Sequence, residues 1–123
     1  MSEALSEDQI QAERILDALG HQTRRDIIRL LREQPMPVGT LADHFPISRP
    51  AISKHLRILQ SVGLVHYRVQ GASNIFYLQP DAFQLLRHYL AQFWDDALAN
   101  FQQAAARQAE AESETVESED SSQ

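Results

Sequence analysis

Ser48-Arg49-Pro50-Ala51-Ile52-Ser53-Lys54-His55-Leu56-Arg57-Ile58-Leu59-Gln60-Ser61-Val62-Gly63 is the stretch that decides how this chain folds. Ser48 has the side chain of a helix N-cap, and Pro50 falls in the first turn, where a missing N–H does no harm. Ala51, Ile52, Leu56, Ile58, Leu59 and Val62 then build one wide apolar face at helical spacing. Gly63 supplies the stop. The opposite side carries Arg49, Pro50, Ser53, Lys54, Arg57, Gln60 and Ser61, and no acidic residue occurs from Ile47 to Pro80. Ordinary solvated faces mix both charge signs, and this one does not. Arg and Lys can donate to guanine O6 and N7, Ser can donate or accept, and a helix N-terminus attracts phosphate. The stretch therefore reads as a helix held by one side and offering the other to DNA.

The flanking sequence fits that reading. Upstream, Val38 to about His44 predicts a short helix with Leu41 and Ala42 inward, and Pro46-Ile47 predicts a tight turn. Two such helices form a helix-turn-helix, whose second member enters the major groove with its N-terminal residues at the base edges. Further upstream, Gln22 to Glu33 predicts a helix with Ile27, Ile28, Leu30 and Leu31 on one side and Arg25, Arg29 and Arg32 on the other. Pro35 and Pro37 end it. A first helix starts near Ser6, with Ser6 and Gln9 as a capping box and Ala12, Ile15, Leu16 and Leu19 as its apolar face. Downstream, residues 64–69 and 75–78 predict two strands around a turn at 70–74, and Pro80-Asp81 opens a long fifth helix. The expected fold class is mostly α with a small β-hairpin: four helices, two strands, one helix, the order of a winged helix-turn-helix.

Charge has to be read by segment. The net charge is −6, which by itself argues against a nucleic-acid partner. Residues 20–80, however, carry eight Arg or Lys against three acids, while residues 108–123 carry six acids and no base. The distribution of charge, not its total, governs attraction to phosphate. The chain has no cysteine, so disulfides, thiolate metal sites and thiol redox chemistry are excluded. No run of eighteen apolar residues occurs, and the acidic start lacks the basic-then-apolar order of a signal peptide, so cytoplasmic residence is expected.

Four further readings complete the set. The hairpin carries Arg68 near its tip beside Gln70, Gly71, Ser73 and Asn74, and a wing can lie along the backbone and insert Arg or polar groups into the minor groove. The Arg25, Arg29 and Arg32 face is expected to pair with Asp26 and Glu33 along its own helix rather than to meet phosphate. His55 lies within the apolar face and is expected to be partly buried and hydrogen-bonded. Asp81, His88, Asp95 and Asp96 share one helix, but no His/Asp pair there has the i, i+3 or i, i+4 spacing of ligands, so neither metal nor cofactor is expected. The fifth helix is more apolar than one small core can cover. A second copy is the economical partner, with Ile10, Leu16, Leu86, Leu90, Phe93, Trp94, Ala97 and Phe101 as the candidate dimer interface.

With these residues in hand, the sequence resembles the ArsR-type (arsenical-resistance repressor) winged-helix family from about Ile10 to Phe101. The resemblance is carried by Ala18-Leu19-Gly20-His21-Gln22-Thr23-Arg24-Arg25-Asp26-Ile27-Ile28, by the run from Ser48 to Leu59, by Gly63-Leu64-Val65, and by Arg68-Val69-Gln70-Gly71 leading to Tyr77-Leu78. It implies a dimeric repressor on a near-palindromic operator, dimerised through its first and last helices. Metal-sensing members commonly place cysteines in the third helix, where this chain has Leu41-Ala42-Asp43-His44-Phe45. It looks more like the metal-independent members with an aromatic-rich last helix, some of which simply repress their own operon.

The expected organisation is an N-terminal tail (1–8), a winged helix-turn-helix DNA-binding and dimerisation domain (9–104) and an acidic disordered tail (105–123). The expected DNA contacts are Ser48, Arg49, Pro50, Ser53, Lys54, Arg57, Arg68, Gln70 and Ser73. Of these, Arg49, Pro50, Ser53 and Lys54 read bases, and Arg57 and Arg68 hold the backbone. The alternative is a winged helix used only for protein–protein contact. No nucleophile–base pair suggests an enzyme, and no residue pattern names an inducer.

Overall fold

The chain runs α1 (Glu7–Leu19), α2 (Gln22–Glu33), β1 (Met36–Pro37), α3 (Val38–Ala42), α4 (Arg49–Ser61), β2 (Val65–Gln70), β3 (Ser73–Leu78) and α5 (Pro80–Ser121). The computed structural model describes the backbone of residues 6–121 and the side chains of residues 6–114. Two compact units result, one up to Tyr89 and one from Leu90 onward.

Local chemistry sets the helix ends. Ser6 accepts from the Gln9 N–H while the Gln9 side chain accepts from the Ser6 N–H, the reciprocal capping box expected for α1. Ser48 Oγ accepts from the Ala51 N–H and caps α4. At the far end of α4, the Gly63 N–H donates to the Gln60 carbonyl at 3.0 Å and the Leu64 N–H to the Leu59 carbonyl at 3.1 Å, the paired bonds of a Schellman motif. Gly63 sits at φ +81°, in the left-handed region that this motif requires. α3 is shorter than expected. After Ala42 the chain tightens into i→i+3 bonds, His44 N–H to Leu41 and Phe45 N–H to Ala42, and turns toward Ser48.

The core of the first unit is one apolar cluster. Ala12 and Ile15 of α1, Ile27 and Leu31 of α2, Leu41 of α3, and Ile52, Leu56 and Leu59 of α4 are all buried, with Leu64, Val65 and Phe76 closing the hairpin side. Burying three large residues of α4 fixes its rotation, at about 1.5–3 kcal/mol per side chain.

The hairpin is not alone. β1 pairs with β3, Met36 opposite Phe76 and Pro37 opposite Ile75, giving an antiparallel sheet in the order β1-β3-β2. Two residues, one a proline, carry no strand pattern, so the sequence read them only as a helix stop. Proline is tolerated because β1 is an edge. The turn of the hairpin is two residues long, Gly71-Ala72, with Gly71 at φ +63°, the glycine position of a type II′ turn.

Two boundaries are corrected. Glu7 and Asp8 form the first turn of α1 rather than a tail, and residues 1–5 lie outside the described residues. Residues 105–121 continue α5 as helix instead of forming a disordered tail. A composition too polar to pack a core need not refuse helix: Ala, Gln, Arg and Glu are strong helix formers, no Gly or Pro interrupts, and Gln108 donates to Glu112 one turn on. The last two expected tail residues lie outside the described ones.

Two polar contacts tie α4 and its cap to the helices behind it, and a third joins those helices. The Gln11 Nε2 group of α1 donates to the Val62 carbonyl at 2.8 Å. Arg24 Nε of α2 donates to the Ala18 carbonyl at 2.5 Å, and its Nη1 lies 3.3 Å from His55 Nδ1 on α4. A guanidinium only donates, so His55 is the acceptor and is neutral. The His21 ring lies 4.7 Å from that of His55 and caps α2 by accepting from the Thr23 N–H. Burial, then the neighbouring His21, Arg24 and Lys54, hold the His55 imidazole below its ordinary value of 6.5.

Two predictions follow from this geometry. Gly63→Ala forces a Cβ into left-handed backbone and should cost about 1–2 kcal/mol in urea denaturation. Below pH 6.5 the unfolded chain binds a proton at His55 that the folded chain refuses, so stability is full above that pH and declines as pH falls through the lowered folded value. Denaturation across this window should show the decline flattened in His55→Gln; an unchanged pH slope would remove His55 as its source.

Candidate nucleic-acid interface

The outward side of α4 is divided by the packing into two stripes. Arg49, Ser53, Arg57 and Gln60 recur at i, i+4, i+8 and i+11 and line a cleft of about 310 Å³ facing the sheet. Pro37 and Val38 also line it, with Ala72, Ser73, Asn74 and Phe76 of the hairpin. Pro50, Lys54 and Ser61 lie beyond that stripe, on the outermost edge of the helix, and all three are exposed.

Arg49 occupies a definite place in this arrangement. A Cβ on Gly39 of α3 would lie 3.7 Å from Arg49 Nη1 and 3.9 Å from Cζ, so the guanidinium rests against the bare backbone of α3.

The cations of α2 and those of α4 differ in their partners. On α2, Arg24 is held by Ala18 and His55, Arg25 donates to the Leu19 carbonyl, Arg29 pairs with Asp26 at 2.7 Å and Arg32 with Glu33 at 3.9 Å. Arg29 and Arg32 pair along their own helix as expected, through exposed contacts, whereas Arg25 turns to the end of α1 instead. Arg49, Lys54 and Arg57 have no hydrogen-bond or ion-pair partner among the described residues. Their charge is left for something outside the protomer.

The hairpin places its polar residues on two faces. Successive strand residues alternate sides, and Arg68 opposite Ile75 shares a face with His66, Gln70, Ser73 and Tyr77. Asn74 and Phe76 lie on the other face, toward α4 and the cleft. Arg68 is thus separated from the α4 arginines, and its guanidinium lies 5.9 Å from the centre of the Tyr77 ring. The structure therefore brings Arg49, Ser53 and Arg57 together and sets Arg68 and Gln70 apart from them. Ser73 at the turn borders both. Asn74, named with the wing's polar residues in the sequence but not among the expected DNA contacts, is a β3 residue that lines the cleft.

The candidate dimer residues divide by exposure. In the first unit Ile10 and Leu16 are 41% and 36% exposed, whereas Leu86 is buried at 8%. Leu86 is corrected to a core residue, since it has little surface left for a partner. In the second unit Phe93, Trp94 and Phe101 are 56%, 61% and 70% exposed, and Leu98 joins them at 54%; Leu90 and Ala97 are half-buried. Phe93 and Trp94 meet edge to face at 6.1 Å. Among the described residues no three His, Asp or Glu converge as a metal site would require, and no helix is long and apolar enough to cross a membrane.

Comparison with known proteins agrees with this geometry. Residues 21–67 match the family described as bacterial regulatory protein, arsR family. The HTH-type transcriptional regulator Rv2034 of Mycobacterium tuberculosis is 40% identical over 91 residues, covering 74% of this chain and 85% of that protein. The transcriptional repressor SdpR of Bacillus subtilis is 34% identical over 70 residues, 57% of this chain and 78% of that protein. Among solved structures, an ArsR-like transcriptional regulator from Rhodococcus sp. RHA1 superposes with a TM-score of 0.68 at 29% identity, covering 79% of this chain and 94% of its own. The homodimeric winged helix-turn-helix DNA-binding domain of Mb0332 from Mycobacterium bovis superposes at 0.58 with 25% identity, covering 78% and 91%. With the helix-turn-helix of α3 and α4, the wing and these relatives in agreement, the chain belongs to the ArsR family of bacterial regulatory proteins.

Proposed function

We propose that the protein is a homodimeric, sequence-specific DNA-binding transcriptional regulator that represses by covering promoter DNA. The observation that carries this is the partnerless state of Arg49, Lys54 and Arg57 on a surface without carboxylates, beside α2 arginines that are all engaged. Unpaired cations gathered on one face attract a polyanion. Two α4 helices related by a two-fold axis then enter successive major grooves about 34 Å apart. Pro50, Ser53 and Lys54 meet base edges; Ser48 at the helix N-terminus, Arg57, Arg68, Gln70 and Ser73 meet the backbone.

The exposed Ile10 and Leu16 of α1 and Phe93, Trp94 and Phe101 of α5 support self-association through those helices. The homodimer described for Mb0332 supports the same arrangement, and the repressor name of SdpR supports the sign of regulation. The chain acts on double-stranded operator DNA in the cytoplasm, without metal and without enzymatic activity. The domain that does so spans 9–104, with 105–121 as a helical appendage.

Selection from a random double-stranded library should return a near-palindrome with half-sites about 10–10.5 base pairs apart, or a multiple of that. Recovery of no enriched sequence, with binding insensitive to salt, would favour a protein–protein module instead. Lys54→Ala should weaken the selected site by about 1–3 kcal/mol, with a smaller loss on scrambled DNA. Arg68→Ala should weaken both alike and flatten the salt slope by about one unit.

A further inference from the structure

The cleft between α4 and the hairpin asks for an occupant of its own. Its charged lining is two guanidiniums, Arg49 and Arg57, and its neutral polar lining is Ser53, Gln60, Ser73 and Asn74. None of these side chains has a partner among the described residues, and no carboxylate lines the cleft. The rest of the lining is different in kind: Pro37, Val38, Leu56, Ala72 and Phe76 are apolar. At about 310 Å³ the space is roughly ten waters' worth, at about 30 Å³ each. A bare ion would leave that apolar lining wetted and much of the volume to water.

We propose that this cleft is a seat for one phosphate ester together with its sugar, with Arg49 and Arg57 on the phosphate and the sugar ring against Pro37 and Val38. Guanidinium is the group that forks onto phosphate oxygens, and two of them face the same space from one helix stripe. Gln60 and Asn74 offer amide N–H donors to the remaining oxygens. The Arg49 guanidinium lies beside Gly39 of α3, where a Cβ would stand at ordinary contact distance, 3.7 Å from Nη1. This reassigns Arg49 from base edge to backbone, since it lies on the cleft stripe and Lys54 on the outer one. The same chemistry has two sources: a sugar-phosphate unit of a bound DNA strand, or a free sugar phosphate that displaces that strand. Only the first source rests on the DNA-binding reading.

The test has two arms, both on the full chain. In the first, without DNA, 2-deoxyribose 5-phosphate and inorganic phosphate are titrated into ¹⁵N-labelled protein. The seat predicts saturable amide shifts confined to Ser53, Gln60, Ser73 and Asn74, tighter for the sugar phosphate than for phosphate. Arg49→Ala should abolish them, and Lys54→Ala, on the outer stripe, should leave them. In the second arm, Arg49→Ala should weaken selected and scrambled DNA by the same factor, roughly ten- to hundredfold, and flatten the salt slope by about one unit. Arg49→Lys, which keeps the charge and loses the fork, should fall between. Shifts in the first arm with DNA displaced by the sugar phosphate establish both sources. No shifts, but an equal loss on both DNAs, restricts the seat to the DNA backbone. If shifts are absent or survive Arg49→Ala, and Arg49→Ala damages only the selected sequence, then Arg49 reads bases and the proposal fails. If wild-type protein binds no DNA at all, the first arm alone decides the seat.

Discussion

The burial of Ile52, Leu56 and Leu59 is the constraint from which the rest of the surface follows. A helix has one rotation that hides three such side chains at once. Once that rotation is set, Arg49, Ser53, Lys54 and Arg57 have no option but to face away from the core. The same packing that stabilises the fold therefore aims the cations. Nothing on α4 can be turned inward without exposing an apolar side chain, so the presentation of charge is as robust as the core itself.

Polar contacts then fix where the helix lies along its axis and against its neighbours. Gln11 holds the C-terminal end through the Val62 carbonyl, and Arg24 reaches from α2 to His55 near the middle. The Arg24 guanidinium joins three elements, because it also satisfies the Ala18 carbonyl at the end of α1. His55 is useful there because a neutral imidazole can accept from an arginine while its ring packs against His21. The arrangement is possible only while the ring is uncharged, and so the helix that carries the unpartnered cations is coupled to a titrating group behind it.

Much of this was legible in the residues. The caps at Ser6 and Ser48, the stop at Gly63 and the apolar spacing of α1, α2 and α4 are local signals, and local signals act within a turn or two of chain. The hairpin was legible for the same reason. β1 was not, because a two-residue edge strand exists only by pairing with Phe76 and Ile75, some forty residues away. The tail from 105 was misjudged because absence of a core was taken as absence of structure, whereas helix propensity needs no core. Leu86 carried the same pattern as Leu90 and Phe93, and periodicity cannot say which of several apolar residues the protomer covers for itself.

By itself the sequence determined the type of each main element, the basic middle of an acidic chain and the identity of the helix that carries the cations. These depend on residue type and spacing. Only the tertiary structure decided that Arg24 reaches His55 and Arg25 the Leu19 carbonyl, that the α4 cations have no partner among the described residues, that Arg49 lies beside Gly39, and that Arg68 and Asn74 take opposite faces of the wing. Those outcomes depend on which surfaces meet across long stretches of chain. Charge and hydrogen-bonding capacity are written in the residues, but whether they are already satisfied is a property of their neighbours in space.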